Sequence, residues 1–419
     1  MIRRLIVGAI VATAVPFPLY GQTEGHPQFG LPLEPARWAR FTTERGTWMS
    51  LDVSPDGRTI VFDLLGDIYS MPVAGGRATR LTGGMPHDVQ PRFSPDGRRV
   101  VFVSDRSGDD NLWLLELSTG ALTQLTTGTQ ATYLSPVWTP DGDYIAVSRA
   151  DMLSGLEKIW LYHVRGGRGL EMAGGPANLR FLGAAFGADP RYVWFAQRSG
   201  SWDYNAILPQ YQLAVYDREA GTRTTMSSRL GSAFRPALSR DGKWLAYGSR
   251  QEAETGLRLR DLATGAERWL VYPIQRDDQE SVAQMDVLPG YAFTPASRAI
   301  IISYGGEFWR VPVDGASPTR IPFSADVELP VGPELKFEYP IDDTPTFTAK
   351  QIRDAVPSPD GRRLAFTALN RLYVMELPGG TPRRLTNGST GEYQPAWSPD
   401  GRSIAYIAWD DRDGHVMRV

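Results

Sequence analysis

A tetrapeptide that returns every 40 or more residues constrains this chain more than any other feature. It reads Ser54-Pro55-Asp56-Gly57, Ser94-Pro95-Asp96-Gly97, Thr139-Pro140-Asp141-Gly142, Ser358-Pro359-Asp360-Gly361 and Ser398-Pro399-Asp400-Gly401. Ser239-Arg240-Asp241-Gly242 is a degenerate copy, while Gly187-Ala188-Asp189-Pro190 and Thr294-Pro295-Ala296-Ser297 fill the two remaining gaps. Pro presets φ for a tight reversal, Asp bonds its own backbone, and Gly accepts the last position. A β-rich run follows each turn, such as Thr59-Ile60-Val61-Phe62 or Tyr144-Ile145-Ala146-Val147, so the turn joins a hairpin. A second hairpin opens on a polar, an aliphatic and an aromatic residue: Asp67-Ile68-Tyr69, Asn111-Leu112-Trp113, Lys158-Ile159-Trp160, Glu307-Phe308-Trp309, Arg371-Leu372-Tyr373. It ends on runs such as Thr79-Arg80-Leu81-Thr82. Four strands at this pitch predict an all-β chain, a β-propeller of four-stranded antiparallel blades. No sustained 3.6-residue periodicity appears past the N-terminus, which argues against an α/β solenoid.

Eight turns imply eight blades, near 51–82, 91–126, 135–173, 181–226, 235–270, 285–321, 355–386 and 394–419. The count falls to seven if the unit at 285–321 pairs irregularly. The eighth unit reaches Val419 without an outer strand, and Ala39-Arg40-Phe41-Thr42 matches Thr79-Arg80-Leu81-Thr82. Residues 38–43 are therefore expected to complete the last blade and seal the ring, which removes a bare edge strand.

The N-terminus carries Arg3 and Arg4 ahead of an apolar run from Leu5 to Val15, the pattern of a secretory signal over residues 1–21. The run is shorter than the roughly 20 residues a membrane span needs; an uncleaved anchor is the alternative. A linker at 22–37 follows, then the propeller at 38–419. The expected product is exported, periplasmic or secreted, with no membrane span once the signal is removed. Lys+Arg 44 against Asp+Glu 47 gives a net charge of −3, which speaks against nucleic acid as a partner. With no Cys, thiol catalysis and thiolate metal sites are excluded.

Val101-Phe102-Val103-Ser104-Asp105-Arg106-Ser107-Gly108 with Asn111-Leu112-Trp113, set among Ser-Pro-Asp-Gly turns, resembles TolB-like propeller repeats, which also occur in tricorn-type proteases. The run Gly46–Gly57, continuing through Phe62–Tyr69, with Phe337-Glu338-Tyr339-Pro340 and Gln351-Ile352-Arg353-Asp354, is similar to exported proteins in which a propeller precedes a metal-dependent amidohydrolase domain. In that family further blades and the hydrolase follow, so the resemblance implies a truncated product or a partial chain. The segment that bears the family's catalytic residues has no counterpart here.

The search for chemistry yields no catalytic residue, no metal ligand set and no cofactor. His26, His87, His163 and His415 stand apart, outside any His-x-His or His-Glu-x-x-His pattern. No serine has Gly on both sides as a nucleophile elbow requires. The acidic loops at Asp105–Asp110 and Asp410–Asp413 miss the spacing of a calcium loop. Short uniform turns fall on one face of the ring and the long insertions on the other. Loops on a rigid scaffold commonly carry binding, so candidate contact residues are His87, Arg106, Asp109, Asp110, Trp202, Tyr204, Asp277 and Asp278. The expected role is a non-catalytic module for protein interaction or substrate handling. The expected partner is a protein, or the family's catalytic domain, met on the insertion face; a peptide or small-molecule substrate is the further candidate. A substrate-gating propeller of an amidohydrolase and a TolB-like periplasmic adaptor are the alternatives.

Overall fold

The computed structural model describes residues 35–151, 155–173, 176, 178–200, 207–332 and 338–419. The described chain is all β, in two compact units that meet in sequence at Glu334 and Leu335. The first unit contains six four-stranded antiparallel sheets, each built in chain order. Their first strands are Leu51–Val53, Asp88–Phe93, Ala131–Trp138, Leu179–Phe186, Phe234–Leu238 and Ala292–Phe293, and we call the sheets blades 1 to 6. The second unit holds a four-stranded sheet beginning at Arg353–Pro357 and a three-stranded sheet of Gly391–Trp397, Ile404–Trp409 and Gly414–Arg418.

Each turn tetrapeptide folds as its chemistry demands. The Ser54 hydroxyl donates to Asp56 Oδ1 (2.6 Å), which also accepts the Arg58 N–H (3.0 Å), while Gly57 sits at φ 73°. The same bonds recur at Ser94 with Asp96, Thr139 with Asp141, Ser239 with Asp241, Ser358 with Asp360 and Ser398 with Asp400. In blade 6 Ser297 takes the glycine position at φ 56°.

Successive blades pack face to face through apolar side chains, and blade 6 packs on blade 1. Phe62 of blade 1 meets Phe308 of blade 6 edge to face, ring centroids 4.8 Å apart, inside a cluster that also takes in Leu51, Ile60 and Ile301. Polar bonds accompany the packing: Leu51 N–H to Gly290 O (2.9 Å), Gly290 N–H to Ser50 Oγ (2.9 Å), and Ser303 Oγ to Met49 O (2.8 Å). Six blades therefore close on themselves.

This corrects the expected closure. All eight repeat units form sheets, but the ring of the first unit is sealed between its first and sixth blades. Arg37–Thr43 pairs antiparallel with Phe323–Val331, not with the last sheet. The register is fixed by the Arg40–Glu328 ion pair (3.1 Å) and by Thr42 Oγ1 donating to Asp326 Oδ1 (2.7 Å). Phe323, Ala325 and Val327 are buried beside blade 1 with Ser324, Asp326 and Glu328 turned outward, the period-two signature of a strand.

Candidate functional site: an arginine-floored axial funnel

The first strands of blades 2 to 5 each carry a β-bulge at one repeat position, which swings the chain towards the ring axis. The bulged residues lie in the left-handed region: Gln90 (φ 57°), Ser135 (53°), Gly183 (67°) and Arg235 (52°). Pro91, Pro136 and Pro236 follow three of them, at a point where the ladder is already interrupted and a missing N–H costs nothing. Three bulge amides are claimed by the preceding blade. Gln90 N–H donates to Asp63 Oδ2 (2.7 Å), Ser135 N–H to Gln90 Oε1 (2.7 Å), and Gly183 N–H to Ser148 Oγ (3.0 Å). Ser50 and Gly290 stand at the matching positions of blades 1 and 6 and bond each other across the closure. The strain of the bulges is thus held by contacts between blades.

Two residues beyond each bulge position, Asp52, Arg92, Val137, Ala185, Ala237 and Ala292 face a common cavity of about 480 Å³ on the axis. Its mouth lies among the tight turns, at Pro55, Pro95, Pro140, Ala188 and Arg240. Its other end is blocked by the segment 276–290, whose Ala283, Val287 and Leu288 are buried against Leu134, Leu182 and Phe234. The cavity is a blind funnel. Small side chains on blades 4 to 6 leave it open, while Arg92 and Arg235 supply charge at its base.

Arg235 is buried, and its Nη1 bonds Asp286 Oδ2 and Ser135 Oγ. Asp286 also accepts the Val287 N–H (2.6 Å) and the Ser135 hydroxyl. Arg92 Nη1 donates to Leu51 O (3.0 Å) and Tyr291 O (3.3 Å), and Arg92 lies 3.6 Å from Asp52. Burial lowers the Arg92 pKa, and the like charge of Arg235 adds to that. Burial raises the Asp52 carboxyl, against the pull of Arg92. A Cβ on Gly290 would lie 2.8 Å from Arg92 Nη2 and 2.9 Å from Arg235 Nη2, so the two guanidiniums converge over that glycine. A side chain there would push the guanidiniums aside. At the mouth, exposed Arg240 reaches towards Pro55 O (3.4 Å).

The predicted contact residues are placed differently. His87 is exposed, and its backbone N–H bonds Asp105 Oδ1 (2.8 Å). Asp110 lies close by: burial, then the charges of Asp105 and Asp109, raise its pKa, with His87 opposing. His87, Asp105, Asp109 and Asp110 thus gather at one end of blade 2. Arg106 is buried on Asp88 and stacked over Trp113 (5.5 Å), a structural position and not a free surface. Asp277 is buried as well, bonded by Arg250 Nη2 (2.6 Å) and Nε (3.1 Å) and by Thr255. The 276–290 segment is therefore folded into the unit, and Asp277 is not the exposed contact residue that was expected. Its Asp278 is half-buried, with its N–H on Val287 O (2.9 Å). Trp202 and Tyr204, like Phe337 of the family-like motif, lie outside the described residues. The sequence reading missed Arg92, Arg235 and Asp286. Only Arg240 left a trace, as the arginine that replaces proline in the degenerate turn.

Residues 29–165 match the family description TolB beta propeller domain. Over that stretch the chain is similar to a TolB-type β-propeller domain. Tricorn protease homolog 1 of Streptomyces coelicolor is 31% identical over 416 residues, covering 87% of this chain and 37% of that relative. The chain spans about a third of the length of the first curated relatives it matches. Among solved structures, TolB from Acinetobacter baumannii aligns over 66% of this chain and 65% of its own, with a TM-score of 0.50 and 17% identity. The tricorn protease aligns over 90% of this chain and 43% of its own, with a TM-score of 0.51 and 13% identity. These structures share the fold. Among the described residues, no helix is long and apolar enough to cross a membrane, and no group of three or more metal-ligating side chains is found.

Proposed function

We propose that this TolB-type propeller is an exported, non-catalytic module that holds part of a peptide or protein substrate in its axial funnel. The observation that supports this reading is the blind funnel itself, lined by the first strands of all six blades and open among the tight turns. Its volume falls in the range of ligand sites, about 300–1,000 Å³. Apolar walls with a few placed polar groups suit binding, and no histidine stands among the described lining residues. Export is supported by the N-terminal Arg3, Arg4 and apolar run.

A pool of random acetylated hexapeptides, equilibrated with the protein and separated by ultrafiltration, tests the reading. Members of the pool are expected to be retained intact, and Ala237→Trp, which fills the funnel from blade 5, is expected to abolish retention without lowering the melting temperature. Retention unchanged in Ala237→Trp, or cleaved peptides in the filtrate, would overturn it.

A second reading is favoured by the similarity to the tricorn protease homolog, of which the chain spans only part. Here the propeller passes substrate to a catalytic domain. It predicts the same retention together with docking of a separately expressed hydrolase domain.

A further inference from the structure

The three guanidiniums of the funnel have a consequence for ligand chemistry. Arg92, Arg235 and Arg240 line it with Asp52, and Asp286 lies beneath Arg235. Three cations against two carboxylates leave one positive charge, in a cavity closed on every side except its mouth. The carboxylates are already engaged: Asp52 accepts the N–H groups of Val53 and Phe93 (2.9 Å each), and Asp286 accepts Ser135, Arg235 and Val287. Arg92 and Arg235 use Nη1 for their protein partners, and their Nη2 atoms come together beside Gly290. Donors converging from two guanidiniums match the two oxygens of a carboxylate, and a partly dehydrated site makes such charge-assisted bonds strong.

We propose that the funnel floor binds the C-terminal carboxylate of a peptide, with Arg92 and Arg235 on its oxygens and Arg240 drawing the chain in at the mouth. The proposal rests on the peptide-holding reading and names the end of the peptide that enters. A blind axis admits a chain end and not a mid-chain loop, and the carboxylate is the one anionic end that every polypeptide carries. The apolar wall, from Val137 to Ala292, suits the residues that precede it.

The test uses the full chain and two hexapeptide pools, acetylated at the N-terminus and either free or amidated at the C-terminus, with inorganic phosphate as a third probe. The free-acid pool is expected to be retained at least tenfold better than the amidated pool. Arg92→Gln is expected to weaken its retention about ten- to a hundredfold, from the loss of hydrogen bonds to a charged group. Arg240→Gln alters an exposed side chain, so it tests the mouth even if Arg92→Gln proves poorly folded, and a several-fold loss is expected there. Equal retention of both pools by a funnel that Ala237→Trp still blocks would overturn the carboxylate assignment and leave the peptide reading standing. Saturable, Arg92-dependent binding of phosphate without retention of the free-acid pool would overturn it as well. Failure of both pools to bind would overturn both readings.

Discussion

Arg250 shows how much of this fold hangs on single buried charges. Its guanidinium reaches Asp277 through two bonds and Glu280 through a third (2.9 Å), which ties blade 5 to the segment that plugs the funnel. Arg180 with Glu157 and Arg106 with Asp88 make comparable buried pairs elsewhere in the ring. Removing one partner of such a pair strands the other charge in a dry interior, and that penalty exceeds whatever the pair contributes net. Arg250→Ala is therefore expected to destabilise the protein by about 3–5 kcal/mol, while Arg240→Ala at the exposed mouth changes stability by about 0.5 kcal/mol or less. Denaturant titrations of the two variants check this. Equal midpoints would mean that the plug is not held by Arg250. The degenerate turn marks Arg240 in the sequence, but nothing there marks Arg250 as buried; only the fold places it inside.

At the scale of the elements, the turns were legible and the bulges were not. Ser, Pro, Asp and Gly have distinct local reasons to occupy a reversal, and those reasons are written in four consecutive residues. A bulge at Gln90 or Ser135 depends on a side chain of the neighbouring blade to take its amide, and that partner is 27 or 45 residues away. The exposed turn carboxylates and the buried ones also respond to acid in opposite ways. The turn carboxylates Asp56, Asp96, Asp141, Asp360 and Asp400 are held below their usual range, first by the Ser or Thr hydroxyl, so their contribution is lost only as pH falls below about 4. Burial pushes Asp63 and Asp67 up to about 7, with Arg80 opposing and Asp88 adding at Asp67. Their folded values lie above the unfolded one, so their stabilisation is present below about pH 4 and is lost as pH rises through 7. Asp67→Asn is expected to flatten part of the decline in melting temperature between pH 5 and 8, worth on the order of a few kcal/mol at the upper end. Parallel profiles for variant and parent would show that Asp67 is ionised at no cost in the fold.

The molecule as a whole is where sequence and structure part most clearly. Repeat counting identifies eight units, and eight repeat sheets are present among the described residues. It cannot tell which two units meet to close a ring, because every blade offers the same kind of face to its neighbour. The choice is made by side chains far apart in sequence, such as Phe62 against Phe308 and Ser303 against Met49. Closure at six also sets the funnel. With six first strands around the axis, Arg92 of blade 2 and Arg235 of blade 5 reach one point over Gly290 of blade 6. Residue-resolved hydrogen exchange at the amides of Leu51 and Gly290 tests this directly, since both bond across the seam between blades 1 and 6. The six-bladed closure predicts that both are protected to the level of amides inside the blades. Exchange at the rate of exposed turn amides would contradict it.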